Sequence, residues 1–423
     1  MNFHFLDGCL MRYLFGPFQC SQLFLGLACL ALTTEAIESR TVFGDQLDVW
    51  FGTTTPRNGL SRGIYHASFN TKTGKLSAAE LAAEANGCGF LAMHPDGQTL
   101  YATGSPAGDA GNSSKSGTVS AYRVSGRAGK QSLIYLNSVP TGDGGAAHLS
   151  TDHGGRVLLS AQYGGGSTSL YELDDDGSIA RRVQTIKHES LAEPAGSGVV
   201  PRRQDAPHAH WTGTSPDDRW AFVPDLGMDK VVIYSLDPET PSIDPHGFGV
   251  TIPGGGPRHM AFDVAGNRVF LLNELSLSIS VFDFDAQAGS LTRGQTVATL
   301  PDEVKAAEIF NSASEIRVHP SGQFVYSANR GHDTITAFSI ADDGNLAVIE
   351  VEPIRGGWPR NFNLTPDGRW LIAAGRDSNT ATVFEINAET GALTFMRETQ
   401  FVPTPICVLF SRFEQAKLLP SGS

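Results

Sequence analysis

His319-Pro-Ser-Gly-Gln-Phe-Val-Tyr-Ser-Ala-Asn-Arg330 decides the fold, because the chain writes it again and again. Variants are HPDGQTLYATG from His94, SPDDRWAFVPD from Ser215, DVAGNRVFLLNE from Asp263 and TPDGRWLIAAGR from Thr365, with a looser TDHGGRVLLSAQY from Thr151. The turn residues Gly97, Gly155, Asp218, Gly266, Gly322 and Gly368 anchor the copies at steps of 58, 63, 48, 56 and 46 residues. Sixteen residues after each of the last five anchors stands an aromatic: Tyr171, Tyr234, Phe282, Phe338 and Phe384. Periods of this size mark repeat architectures, and roughly 40–50 residues make one four-stranded propeller blade.

Each copy reads as strand, tight turn, strand, then an alternating strand such as Thr334-Ile-Thr-Ala-Phe-Ser-Ile340 and a more polar fourth. Six anchors give six blades. A seventh is split between the chain ends. Asp48–Thr53, Gly63–Phe69 and Gly74–Leu76 read as strands two to four of a blade that lacks its first strand, and Pro403–Phe410 is an inner-strand sequence left over at the far end. Joining them closes the ring and removes the open edges. The expectation is an all-β, seven-bladed β-propeller over residues 41–411, closed by a C-terminal strand completing the first blade. A short helix is expected at Pro301–Phe310, and residues 412–423 form a tail.

The N-terminus reads differently. Residues 22–32 form an apolar run behind Arg12, and Thr34-Glu-Ala36 suits cleavage, so 1–36 is expected to be a signal peptide that exports the protein to the periplasm or medium. The mature chain would begin near Ile37, which the mass of the native protein decides; without a functioning leader the protein is cytoplasmic. A net charge of −13 argues against a nucleic-acid partner, and the mature region has no membrane span. A monomer is expected. Cys88 and Cys407 read as two buried thiols rather than a disulfide.

No nucleophile elbow, zinc-protease helix or phosphate loop is present, so any chemistry comes from residues dispersed over several blades. Seven and eight places before the anchors stand His148, His210, Arg258 with His259, Ser314 with Glu315, and Arg360; the blade of Phe90 is apolar there. Seven and eight places after them stand Gln162, Asp225, Asn273 with Glu274, Asn329 with Arg330, and Arg376. Antiparallel pairing puts both sets at one mouth. With Arg317 nearby, an acidic protein concentrates arginine where a carboxylate or phosphate would dock.

The motifs Pro207-His-Ala-His210, Gly256-Pro-Arg-His259, Asn273-Glu274, Ser314-Glu-Ile-Arg-Val-His-Pro320, Ser327-Ala-Asn-Arg-Gly331 and Pro359-Arg-Asn-Phe362 resemble those of the propeller lactonases. That family includes propeller-type 6-phosphogluconolactonases and 3-carboxy-cis,cis-muconate lactonising enzymes. The resemblance implies a lactonase of 6-phosphogluconolactonase type with His210, Arg258, Glu274 and Arg330 as catalytic residues. It leaves His148, His208, Asp225, Asn273, Glu315, Arg317, Asn329 and Arg360 to bind a small anionic lactone or carboxylate. In this scheme Glu274 is the base, His210 carries the proton, and no cofactor or metal takes part. Three alternatives stand beside it: a lactonising cyclase using the same parts, a hydrolase holding Ca²⁺ on Glu274, Asn273 and Asp225, and a non-catalytic binding propeller.

Overall fold

The computed structural model describes residues 45–56, 58–105, 117–127, 129–191 and 200–411; the expected leader and C-terminal tail lie outside them. Seven antiparallel sheets make up the described residues, six with their strands in simple meander order and one whose inner strand is the last in the chain. Their inner strands are Pro405–Ser411, Leu91–Met93, Ala146–Thr151, Gly213–Thr214, Pro257–Phe262, Ser312–Val318 and Pro359–Leu364, in blades one to seven. The chain is the seven-bladed β-propeller that its repeats specify.

The repeated turn is a backbone requirement. Gly97, Gly155, Gly266, Gly322 and Gly368 have φ between +70° and +73°, and Asp218 stands at +55°, in the left-handed region that glycine enters freely and aspartate tolerates. At Gly368 a second constraint applies: a Cβ would lie 2.5 Å from His319 Nε2. That imidazole donates to the Gly368 carbonyl at 2.8 Å, as His94 does to Gly155 at 2.9 Å, so the histidine of each His-Pro turn ties its blade to the next.

Strands read as continuous apolar runs because both faces of each sheet are covered. Leu47, Val49 and Phe51 point toward blade seven, while Trp50 between them points toward blade two, as the period of two requires. One apolar cluster fills each of the seven contacts between neighbouring blades. The contact between blades one and seven is built like the others: Trp370 packs edge-on to Phe69 at 5.9 Å and donates to the Thr71 carbonyl at 2.7 Å.

Ring closure occurs as the sequence requires. Pro405–Ser411 pairs antiparallel with Gln46–Thr53, Val49 opposite Phe410 and Phe51 opposite Val408, and Trp50 Nε1 donates to Ser411 Oγ at 2.8 Å. Some details differ from expectation. The fourth strand of blade one comes in two pieces, Lys75–Leu76 and Glu80–Glu84, both paired with Gly63–Asn70. Blade four keeps only Gly213–Thr214 and an isolated bridge from Ala209 to Asp225 as its inner strand. The helix is shorter, Asp302–Ala307, and buries none of its residues. Cys88, three residues before the inner strand Leu91–Met93, and Cys407 are both free and buried.

Ending the chain at Val402 removes the inner strand of blade one and exposes the Gln46–Thr53 edge. Size-exclusion chromatography and thermal melting of that truncation should show aggregation or a lowered Tm. A monomer melting like the full chain would contradict closure by this strand.

Candidate active site

One irregularity recurs at the same place in the inner strands. Pairing slips by one residue between Pro257 and His259, between Pro359 and Asn361, between Ala313 and Ile316, between Ala146 and His148, and between Pro405 and Cys407. In blade four the four steps from Ala209 to Gly213 face the three from Asp225 to Phe222, with the same effect. A bulge leaves its extra residue out of the ladder and re-aims the side chain. The bulged residues Ile406, Ala147, Arg258 and Arg360, with His210 and Gly89 at the matching positions, line a cavity of about 730 Å³ at one mouth of the channel. The place eight before the anchor therefore faces the cavity in every anchored blade but the sixth, where Ser314 is turned in to the Pro359 carbonyl.

Glu274 and Arg330, eight residues after their anchors, reach the same cavity from the neighbouring strands. Glu274 is buried and fully engaged. Its Oε1 accepts from Arg203 at 2.5 Å and lies 3.1 Å from Arg330, and its Oε2 accepts from Arg258 Nε at 2.8 Å. His210 Nε2 stands 3.9 Å from Oε2, beyond hydrogen-bond range. Arg258 also donates to the Ser314 carbonyl, and Arg330 donates to that of Ala313 at 2.8 Å. Burial would raise the Glu274 carboxyl, but Arg330, Arg258, His210 and Arg203 outweigh it and hold it well below the usual range.

Arg360 faces the same space with no carboxylate partner among the described residues. Burial, then the charges of Arg330 and Arg258, push its guanidinium down to about 9; burial and Arg330 push Arg258 down to about 10. Both stay cationic at neutral pH. Four arginines and one carboxylate therefore share the cavity wall, an excess of positive charge that an anion would relieve. The floor is made of imidazoles: His259 lines the cavity, with His148 and His210 each 5.3 Å away between ring centroids. Burial foremost, then neighbouring charge, lowers all three well below the ordinary histidine value, so they are neutral at pH 7.

The other sequence-derived candidates lie elsewhere. Asp225 accepts from the backbone N–H of His208, Gly227 and Met228 and from His188 at 2.7 Å, the last a tie from blade three to blade four. Asn273 ties Thr251, Ser278 and Ser280 together, and Asn329 does the same for Thr299, Thr334 and Thr336. Of the ring expected after the anchors, the seventh positions are strand ties and only the eighth reach the mouth. The three oxygen donors of the Ca²⁺ alternative are thus committed to other partners. His208 stacks on Tyr163 at 4.5 Å behind the wall, His148 packs on Phe90 at 4.0 Å beneath it, and Glu315 and Arg317 pair at 3.4 Å one layer deeper. Arg376 sits at the rim, 5.1 Å from the Trp358 ring.

Arg203 went unread in the sequence because it belongs to no repeat. It lies in the long connection before blade four, and the 63-residue anchor step was its signal. Gln204 pins that connection to the Leu226 carbonyl and Asp229, whose oxygens also accept from Gly254 and Gly256 and so set the loop that delivers Arg258.

A family model described as "Lactonase, 7-bladed beta-propeller" matches residues 48–410. A 6-phosphogluconolactonase of Bacillus subtilis is 32% identical over 359 residues, 84% of this chain and 96% of the relative. Among solved structures, a putative 6-phosphogluconolactonase of Bacteroides uniformis is 31% identical with a TM-score of 0.76, covering 87% of this chain and 100% of its own. The periplasmic gluconolactonase of Pseudomonas aeruginosa is 28% identical with a TM-score of 0.77 and the same coverage.

Replacing Glu274 by Gln leaves the guanidinium groups facing one another without a counter-charge. Removing one partner of a buried pair costs about 3–5 kcal/mol, so urea unfolding should show a loss of that order, and added phosphate should restore more stability to the variant than to the wild type. Unchanged stability would show that the arginines do not depend on this carboxylate.

Proposed function

Because this chain belongs to the seven-bladed β-propeller lactonase family, we propose that the cavity opens a small anionic sugar-acid lactone of the 6-phosphogluconolactone type by acid/base chemistry without a metal. The observation that carries this reading is Arg360: a cation without a carboxylate partner among the described residues, beside Arg258 and Arg330, above a floor of neutral imidazoles. An incoming phosphate or carboxylate meets the Arg360 guanidinium, and the reacting carbonyl lies within the field of the others. As the carbonyl oxygen becomes an oxyanion, fixed guanidinium groups stabilise it without reorganising. Water needs a base to attack, and a neutral imidazole supplies one.

Glu274 takes a different part from the one the sequence suggested. A carboxylate held by three arginines is a weak base, and its work is to keep mutually repelling cations in register. The relatives support the class of substrate: one is named a 6-phosphogluconolactonase and another a periplasmic gluconolactonase. The second name, with the apolar run at 22–32, favours an unphosphorylated sugar lactone as the second reading. A lactonising cyclase would use the same arginines to fix carboxylates.

Steady-state hydrolysis of phosphorylated and unphosphorylated gluconolactone, with EDTA present, tests the reading. Arg360→Ala should raise KM for the phosphorylated lactone about tenfold to a hundredfold, since a charge-assisted hydrogen bond is worth about 1.5–3 kcal/mol, and change kcat little. The active imidazole is the unprotonated one and its pKa in the folded protein is lowered. kcat/KM should therefore hold at neutral pH and fall only as pH drops below the ordinary histidine value of about 6.5. Loss of activity with EDTA, or activity that rises on acidification, would contradict the proposal.

A further inference from the structure

His259 is placed in the wall by the Arg258 bulge and aimed by a carboxylate one layer below. Its Nδ1 lies 3.0 Å from Glu315 Oε1. Every other group on that carboxylate is a donor: the Ile316 backbone N–H on Oε1, and Asn361 Nδ2 and Arg317 on Oε2. Glu315 therefore accepts, His259 Nδ1 carries the hydrogen, and the lone pair sits on Nε2. Nε2 has no hydrogen-bond partner among the described residues, and the ring borders the cavity. A base held in one tautomer by a third group behind it is the arrangement that activates a nucleophile.

His210, the histidine that the sequence brings forward, lacks this support. Among the described residues no carboxylate lies within hydrogen-bond range of it, and its buried Nδ1 has no partner. Its N–H is suited to polarising a carbonyl, as a neutral imidazole can.

We propose that His259 is the catalytic base of the lactone opening and that Glu315 is its positioning residue. The inference rests on the lactone-opening reading above. As the oxygen of water bonds to the lactone carbonyl carbon, one of its protons passes to His259 Nε2 and the carbonyl π pair moves onto its oxygen, beside the arginines. The pair returns, the bond from carbon to ring oxygen breaks, and the same Nε2–H proton goes to the departing oxygen. Water is added, a hydroxy acid forms, and the imidazole ends neutral. The imidazolium forms between the carboxylates Glu315 and Glu274 and the cations Arg258, Arg317 and Arg360, with neutral His148 and His210 against it. Its proton is then held loosely enough to be returned.

Glu315→Gln tests this without removing the side chain. A carboxamide donates to Nδ1, which turns the tautomer and puts the hydrogen on Nε2. With the lactone that the wild type opens, kcat should fall about 10²–10⁴-fold, the usual cost of losing a general base, with KM near wild type, and His259→Asn should lose a similar factor. Nitrogen-15 NMR of labelled histidine gives an arm independent of activity: wild-type His259 should carry its hydrogen on Nδ1 and the variant on Nε2. An Nε2–H tautomer in the wild type overturns the inference, as does an undiminished kcat in a Glu315→Gln variant whose tautomer has turned. A wild type that opens no lactone overturns the functional reading, and the catalytic role with it, whatever the tautomer.

Discussion

Glu274 is the only carboxylate among the described residues that line the cavity, and the charge balance of the site depends on it. Arg203, Arg258 and Arg330 come from three separate stretches of chain and would repel one another at these distances. One buried anion holds all three, so the arginines are fixed before any substrate arrives. Arg360 is the fourth cation and the one left over. Preorganised charge of this kind is worth most where water is excluded, and there the apolar contacts between blades make the surroundings rigid.

The wall is not uniform around its circumference. Blades four to seven contribute His210, Arg258, Glu274, Arg330 and Arg360, whereas blades one to three contribute Thr53, Gly89, Ala147 and Ile406. The bulge position thus brings His210, Arg258 and Arg360 to the cavity on one side and the uncharged Gly89, Ala147 and Ile406 on the other. A ligand with an anionic end and a hydroxylated body meets both halves. The ring sets the geometry and the residue at the bulge sets the chemistry, which is how one fold supports different sites.

The ring itself was legible because its signals are local. A glycine with positive φ, an apolar strand after it and an aromatic at a constant offset are each fixed by neighbours in sequence, and the leftover Pro403–Phe410 announced the closure. The site was legible in outline for the same reason: counting eight residues back or forward from an anchor reached His210, Arg258, Arg360, Glu274 and Arg330. What counting missed is the depth of each residue. Alternation along a strand turns Asn273 into the blade and Glu274 out of it, and only the bulge shows that Arg258 faces the cavity while Glu315 lies beneath. Arg203 arrives from a connection outside the repeat, where periodicity carries no information.

The measurement that bears most directly on the site is a crystal of the full chain soaked with the open-chain acid of a sugar lactone. The result expected is the acid's anionic group bound to the Arg360 guanidinium, with Glu274 still held by Arg203, Arg258 and Arg330. The acid bound outside this mouth, or within it but away from Arg360, would contradict the assignment of the cavity.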